Sequence, residues 1–165
     1  MYYDRVFKFL EEERVKYLVA GGMAVNLRGI PRFTQDLDIL VDLSPVNLKR
    51  LKAALIKLEY RPRVPVPLEE FLNIDNWRKW KKEKGLKALN LYNPKVVFEQ
   101  IDILTDVPIS YSQARKNCVV IRAGGLRIRL VSISDLIRMK KKAGRDVDKL
   151  DIQDLKRIKR FQGAK

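Results

Sequence analysis

LVAGGMAVNLRGIPRFTQDLDILVD, residues 18–42, is the stretch whose reading decides the rest of the chain. The apolar run Tyr17-Leu18-Val19-Ala20 predicts a short strand, and Gly21-Gly22 ends it sharply. Glycine permits a tight turn and lets a ligand approach with no side chain in the way. Met23 to Arg28 can start a helix directly after the glycines, and its first amides would suit a phosphate. Gly29-Ile30-Pro31 stops that helix. Leu37 to Val41 then alternates as a strand, with Leu37, Ile39 and Val41 on one face and Asp36, Asp38 and Leu40 on the other.

Two carboxylates on one strand face repel each other, and an apolar strand is a poor place for them without a cation. Hard oxygen ligands next to a phosphate-holding turn point to Mg²⁺ or Mn²⁺. Asp102 supplies a third carboxylate on a second apolar strand, Val96 to Leu104, between Ile101 and Ile103. Three such groups can hold two metals roughly 4 Å apart, the arrangement that serves phosphoryl transfer. Plainer readings stand beside these. A Gly-Gly pair can be only a turn, and Asp-x-Asp can lie on a solvated edge strand. Asp102 could pair with Arg129, or Asp106 could be the third ligand in its place.

With Gly21-Gly22, 13 intervening residues and Asp36-x-Asp38, the block resembles the signature of the DNA polymerase β-like nucleotidyltransferases. Within that superfamily it is most similar to the small prokaryotic AbiEii-type and minimal nucleotidyltransferases. Gly22-x-Ala24-Val25-Asn26 with Arg32-x-Thr34 resembles that subgroup's first motif. The segment Asp135-Leu136-Ile137-x-x-Lys140-x-x-Ala143-Gly144-Arg145, followed by Asp148 and Asp151-Ile152, resembles its C-terminal helical signature. Much of the family has serine where Gly22 stands, so a hydroxyl contact to phosphate is absent here. The resemblance implies transfer of a nucleoside monophosphate from an NTP, ATP included, to a hydroxyl acceptor: RNA such as a tRNA 3′ end, a protein, or a small molecule. It implies that Asp36, Asp38 and Asp102 bind the metals and that Asp102 helps deprotonate the acceptor. It also implies that the amides near Gly21, Gly22 and Met23 hold the triphosphate, with Lys140 reaching the phosphates. A toxin-like role follows from the resemblance alone.

Outward from this block, Tyr3 to Glu13 reads as an amphipathic helix with Val6, Phe7 and Leu10 on one face. Ser44-Pro45 caps a helix carrying Leu48, Leu51, Leu55 and Leu58. Residues 61–67 hold three prolines and form an extended connector. Leu68 to Lys84 is expected as one basic helix, Lys87 to Tyr92 as a strand, and 117–122 with 126–130 as a hairpin turning at Ala123-Gly124-Gly125. Ser132 opens a helix ending near Gly144, and 146–160 forms the last one. The expected fold is α/β (α+β): one domain over residues 1–165, a mixed β-sheet flanked by helices, with helices 132–160 packed on the core.

Composition limits the chemistry. Lys and Arg number 35 against 20 Asp and Glu, a net charge of +15, which attracts polyanions such as nucleotides and RNA. With no histidine, an imidazole base and a His-ligated zinc site are excluded. The one cysteine, Cys118, forms no disulfide within the chain and reads as core. No apolar run approaches the roughly 20 residues a membrane span needs. Met1-Tyr2-Tyr3-Asp4-Arg5 lacks a signal-peptide core, so the cytoplasm is the expected location. Trp77-Arg78-Lys79-Trp80-Lys81-Lys82-Glu83-Lys84 is either a base-stacking cationic platform or a helix with buried tryptophans and a solvated basic face. Arg32 and Thr34 either support the carboxylates or merely lead into the strand, and Asp148 and Asp151 brace the last helix. Two other functions compete: a non-catalytic nucleic-acid or partner-binding module that keeps the fold, and a two-metal nuclease.

Overall fold

The computed structural model describes residues 3–163; Met1 and Tyr2 of the N-terminal stretch lie outside the described residues, as do 164–165. The strands are β1 (Tyr17–Val19), β2 (Asp36–Val41), β3 (Arg61–Pro62), β4 (Ala88–Tyr92), β5 (Gln100–Leu104), β6 (Val119–Ala123) and β7 (Leu126–Leu130). They form one seven-stranded sheet in the order β3-β4-β5-β2-β1-β7-β6. β2 runs parallel to β5 and β1 parallel to β7, and the other neighbours are antiparallel. The expected mixed sheet with flanking helices is therefore the observed architecture.

The helices are α1 (Asp4–Glu12), α2 (Gly21–Asn26), α3 (Pro45–Lys57), α4 (Leu68–Phe71), α5 (Ile74–Lys84), α6 (Tyr111–Lys116), α7 (Ile133–Ala143) and α8 (Asp146–Gly163). α1 buries Val6, Phe7 and Leu10, as its 3.6-residue pattern requires. Leu37, Ile39 and Val41 are buried, and so are Ile101 and Ile103 on the neighbouring strand. The two central strands thus turn one face to a dry core and the other to the site. Tyr3 ties their beginnings together: its hydroxyl lies within donating reach of the Gln35 and Gln100 carbonyls and accepts from the Gln100 amide at 3.1 Å.

Four expectations are corrected. α2 begins at Gly21, not at Met23. The expected single helix 68–84 breaks at Leu72-Asn73, because the Asn73 side chain accepts from the Asp75 amide and starts a new helix. β5 begins at Gln100, not at Val96. α6 was not expected, although Ser110 and Gln113 form a reciprocal capping box around its first turn. Trp77 is buried and donates its indole N–H to the Phe71 carbonyl, and Trp80 packs against Phe71. The tryptophans therefore serve the core, and the outward face of α5 carries its lysines and Arg78 together with Asp75 and Glu83. Cys118 is half-buried, with the Arg115 guanidinium 3.3 Å from its sulfur. Among the described residues no helix is long and apolar enough to cross a membrane.

Candidate active site

Strand register creates the site. Asp38 stands level with Asp102 across the parallel β2–β5 pair, and Asp36 stands level with Gln100. In-register residues of paired strands share a face and sit about 4.8 Å apart, and Asp36 lies about 7 Å along the same face. All three sequence-predicted carboxylates therefore project from one side of the sheet. Asp38 and Asp102 both line a cleft of about 260 Å³ walled by Leu136, Met139 and Ala143 of α7 and by Arg145. Among the described residues no three His, Cys, Asp or Glu side chains already close around a single point.

The electrostatics bear the mark of this crowding. Burial, then Asp102, then Asp36 push the Asp38 carboxyl up to about 6, while an amide hydrogen bond from Gly22 and the charge of Arg145 act the other way. Asp102 is also raised, chiefly by burial and further by Asp36; Asn90, donating to Oδ1 at 2.8 Å, and Arg63 oppose the shift. Asp102 thus takes its hydrogen bond from Asn90 of β4, not from Arg129. Two enclosed carboxylates sharing one cleft are costly unless a cation joins them. Oxygen donors alone, with no histidine available, suit a hard divalent ion. The donor set therefore fits Mg²⁺ or Mn²⁺.

Gly21 and Gly22 are needed for a reason the strand-turn-helix pattern did not reveal. Gly21 has φ +56°, and a Cβ there would overlap the Asp38 carboxylate. A Cβ at Gly22 would come within 2.8 Å of Thr34 Oγ1. The glycines let β1 and α2 close directly onto the carboxylate strand. The Gly22 amide, expected to face a phosphate, faces Asp38.

The C-terminal helices contribute a relay of charges. Lys140 is 3% exposed; its amine lies 2.6 Å from Asp151 and 3.2 Å from Asp148. Arg32 reaches Asp151 at 3.3 Å from the loop before β2, and Arg145 holds Asp148 through two hydrogen bonds of 2.9 and 3.2 Å. The expectation that Lys140 reaches the phosphates is corrected here: its amine is committed to two carboxylates, as a strut between α7 and α8. An exposed cation on that wall is Arg145, which belongs to the C-terminal motif but was not among the expected phosphate-holding residues; Lys142 also lines the wall but is paired with Asp106. Asp148 beside it holds the Arg145 guanidinium more firmly charged, and Asp38 adds to the effect. Asp148 and Asp151 are the buried members of the relay, more than helix caps. Asp106 is not grouped with the carboxylates as a ligand. It bridges Lys81 at 2.8 Å and Lys142 at 2.7 Å, and these cations hold its carboxyl down at about 2.

No protein-family model matches the chain, and no curated protein does. Solved structures do. A lincomycin-bound lincosamide antibiotic adenylyltransferase, LnuA, superposes with a TM-score of 0.59 at 17% identity, over 90% of this chain and 90% of that one. ANT(2″)-Ia in complex with adenylyl-2″-tobramycin gives 0.57 at 14% identity, over 92% and 83%. An antigenic nucleotidyltransferase-like protein from Paracoccidioides brasiliensis gives 0.50 at 16% identity, over 90% and 69%. This chain shares its fold with these nucleotidyltransferase structures.

Proposed function

We propose that this protein transfers a nucleoside monophosphate from an NTP to a hydroxyl acceptor, with Mg²⁺ or Mn²⁺ held by Asp36, Asp38 and Asp102. The observation that carries this reading is the level pairing of Asp38 with Asp102 inside one cleft, beside a glycine turn with no room for any other residue. Bound divalent ions would offset the triphosphate charge and favour the ionised acceptor oxygen. The protein's own groups do the positioning. Asn90 orients Asp102, which is placed to receive the acceptor's proton. Gly21 and Gly22 put no side chain between the backbone and the triphosphate. Arg145, anchored by Asp148, faces the cleft as the phosphate-facing cation. The acceptor oxygen forms its bond to the α-phosphorus as the bond to the bridging oxygen breaks, and pyrophosphate leaves.

The test is incubation with α-labelled NTPs, Mg²⁺ and candidate acceptors, alongside calorimetry of NTP binding. Transfer that is lost in Asp38→Ala, with the fold intact, supports the reading. Equal transfer in that variant rejects the metal assignment. The net charge of +15 favours one second reading, a fold-retaining RNA-binding module. That protein would bind RNA with a steep salt dependence and show no Mg²⁺-dependent NTP affinity.

A further inference from the structure

A second, larger cleft of about 900 Å³ opens on the same face of the sheet, beyond the ends of β2 and β5. It meets the carboxylate cleft at Leu104 and Val107, which line both. Leu104 is two residues past Asp102 on β5, so the larger cleft begins about 7 Å from that carboxylate. Leu40, two residues past Asp38, forms part of its floor with Ile109. Its rim carries Arg78 and Arg115, both exposed, and the hydroxyls of Ser110 and Tyr111. A volume of this order suits a whole small molecule, with an apolar floor to bury it and a few polar groups to orient it.

We propose that this cleft binds the acceptor, and that the acceptor is a small hydroxyl-bearing molecule with an apolar body and an anionic group. This rests on the transfer reading given above. Two observations support it. The first is position. Gly22 packs against Thr34, towards the start of β2, whereas the cleft lies towards its end, with Asp38 and Asp102 between them. An in-line displacement needs the attacking hydroxyl opposite the departing pyrophosphate. If the triphosphate lies along Gly21–Met23, the open approach for a hydroxyl is from the Leu104 side. The second is lining chemistry. A single-stranded RNA site offers aromatic faces for bases to stack on. Here Trp77 is 4% exposed and its indole N–H is already bonded to the Phe71 carbonyl, which leaves the half-buried Tyr111 as the one aromatic ring in the lining, short of a stacking platform for successive bases. What remains is an apolar floor beneath a rim on which Arg78, Lys81 and Arg115 outnumber the one carboxylate, Asp42, and that net positive charge matches an amphipathic anion.

The probe is 8-anilinonaphthalene-1-sulfonate, an apolar aromatic anion whose fluorescence rises on binding. It is titrated into the full chain with and without Mn²⁺ and ATP, and into Arg115→Glu and Leu43→Glu; both positions are exposed on the cleft wall. The expected result is one binding site weakened at least about tenfold by either substitution. ATP affinity should stay within about twofold. The dye should remain bound beside Mn²⁺ and ATP, with its proton resonances broadened by the nearby paramagnetic ion. Displacement of the dye by ATP would show that the cleft holds the nucleoside and would overturn the proposal. Arg115-dependent displacement by tRNA would overturn it in favour of an RNA acceptor. Dye binding indifferent to both substitutions would also overturn it and leave the transfer reading standing. If Mn²⁺ and ATP fail to bind at all, the transfer reading falls and the acceptor role falls with it.

Discussion

Asp38→Asn is expected to stabilise the metal-free protein, because the wild-type carboxylate is held where its charge is unwelcome. Burial and the neighbouring Asp102 and Asp36 raise its pKa from 3.8 to about 6. The sign follows from proton counting. Between these values the folded state binds more protons than the unfolded state, so stability falls as pH rises from about 4 to about 6 and stays lower above. The full difference corresponds to about 3 kcal/mol. Partial exposure at the cleft mouth discounts this to about 2 kcal/mol. Asparagine carries no charge, and its carbonyl oxygen can still accept the Gly22 amide. For a chain of this size, about 2 kcal/mol raises the melting temperature by about 4–8 °C. The assay is calorimetric melting of both proteins in chelator at pH 7.5 and pH 4.5. The variant should be the more stable at pH 7.5, and the gap should shrink at pH 4.5. Adding Mg²⁺ at pH 7.5 should stabilise the wild type and leave the variant nearly unmoved. If the variant melts at or below the wild type at pH 7.5, the argument from carboxylate crowding is refuted.

Gly21→Ala should cost at least about 2 kcal/mol, from the positive φ and the overlap with Asp38, and should lower Mn²⁺ affinity; urea unfolding and metal titration check both. Lys140→Ala should destabilise by about 3–5 kcal/mol, since it leaves Asp148 and Asp151 buried around a missing cation, and denaturant melts would reveal it. Asp106→Asn should cost less than about 1 kcal/mol, because its two lysine partners are largely solvated. In wild type the Asp106 contribution is present above the usual carboxylate range and is lost as pH falls through about 2, so the stabilities of the two proteins should differ near neutral pH and converge in acid titration towards pH 2.

What the sequence by itself determined follows from short-range rules. The period of two along Asp36–Val41 placed both carboxylates opposite Leu37 and Ile39, and the structure keeps that division. Hydrophobic spacing predicted α1, and serine caps predicted the starts of α3 and α7. The capping box at Ser110 was equally legible and went unused, hidden between two strands by a short helix of weak periodicity. Tertiary structure decided what depends on partners distant in the chain. It set the register that brings Asp102 level with Asp38, 64 positions apart. It turned Lys140 from an outward cation into a buried strut, because α8 folds back and brings Asp148 and Asp151 to its amine. It also made Gly21 obligatory through contact with a side chain 17 residues later. Strand periodicity and capping are energies of neighbouring residues and can be read along a line. The environment of a charge is an energy of everything packed around it, and that exists only once the chain has closed.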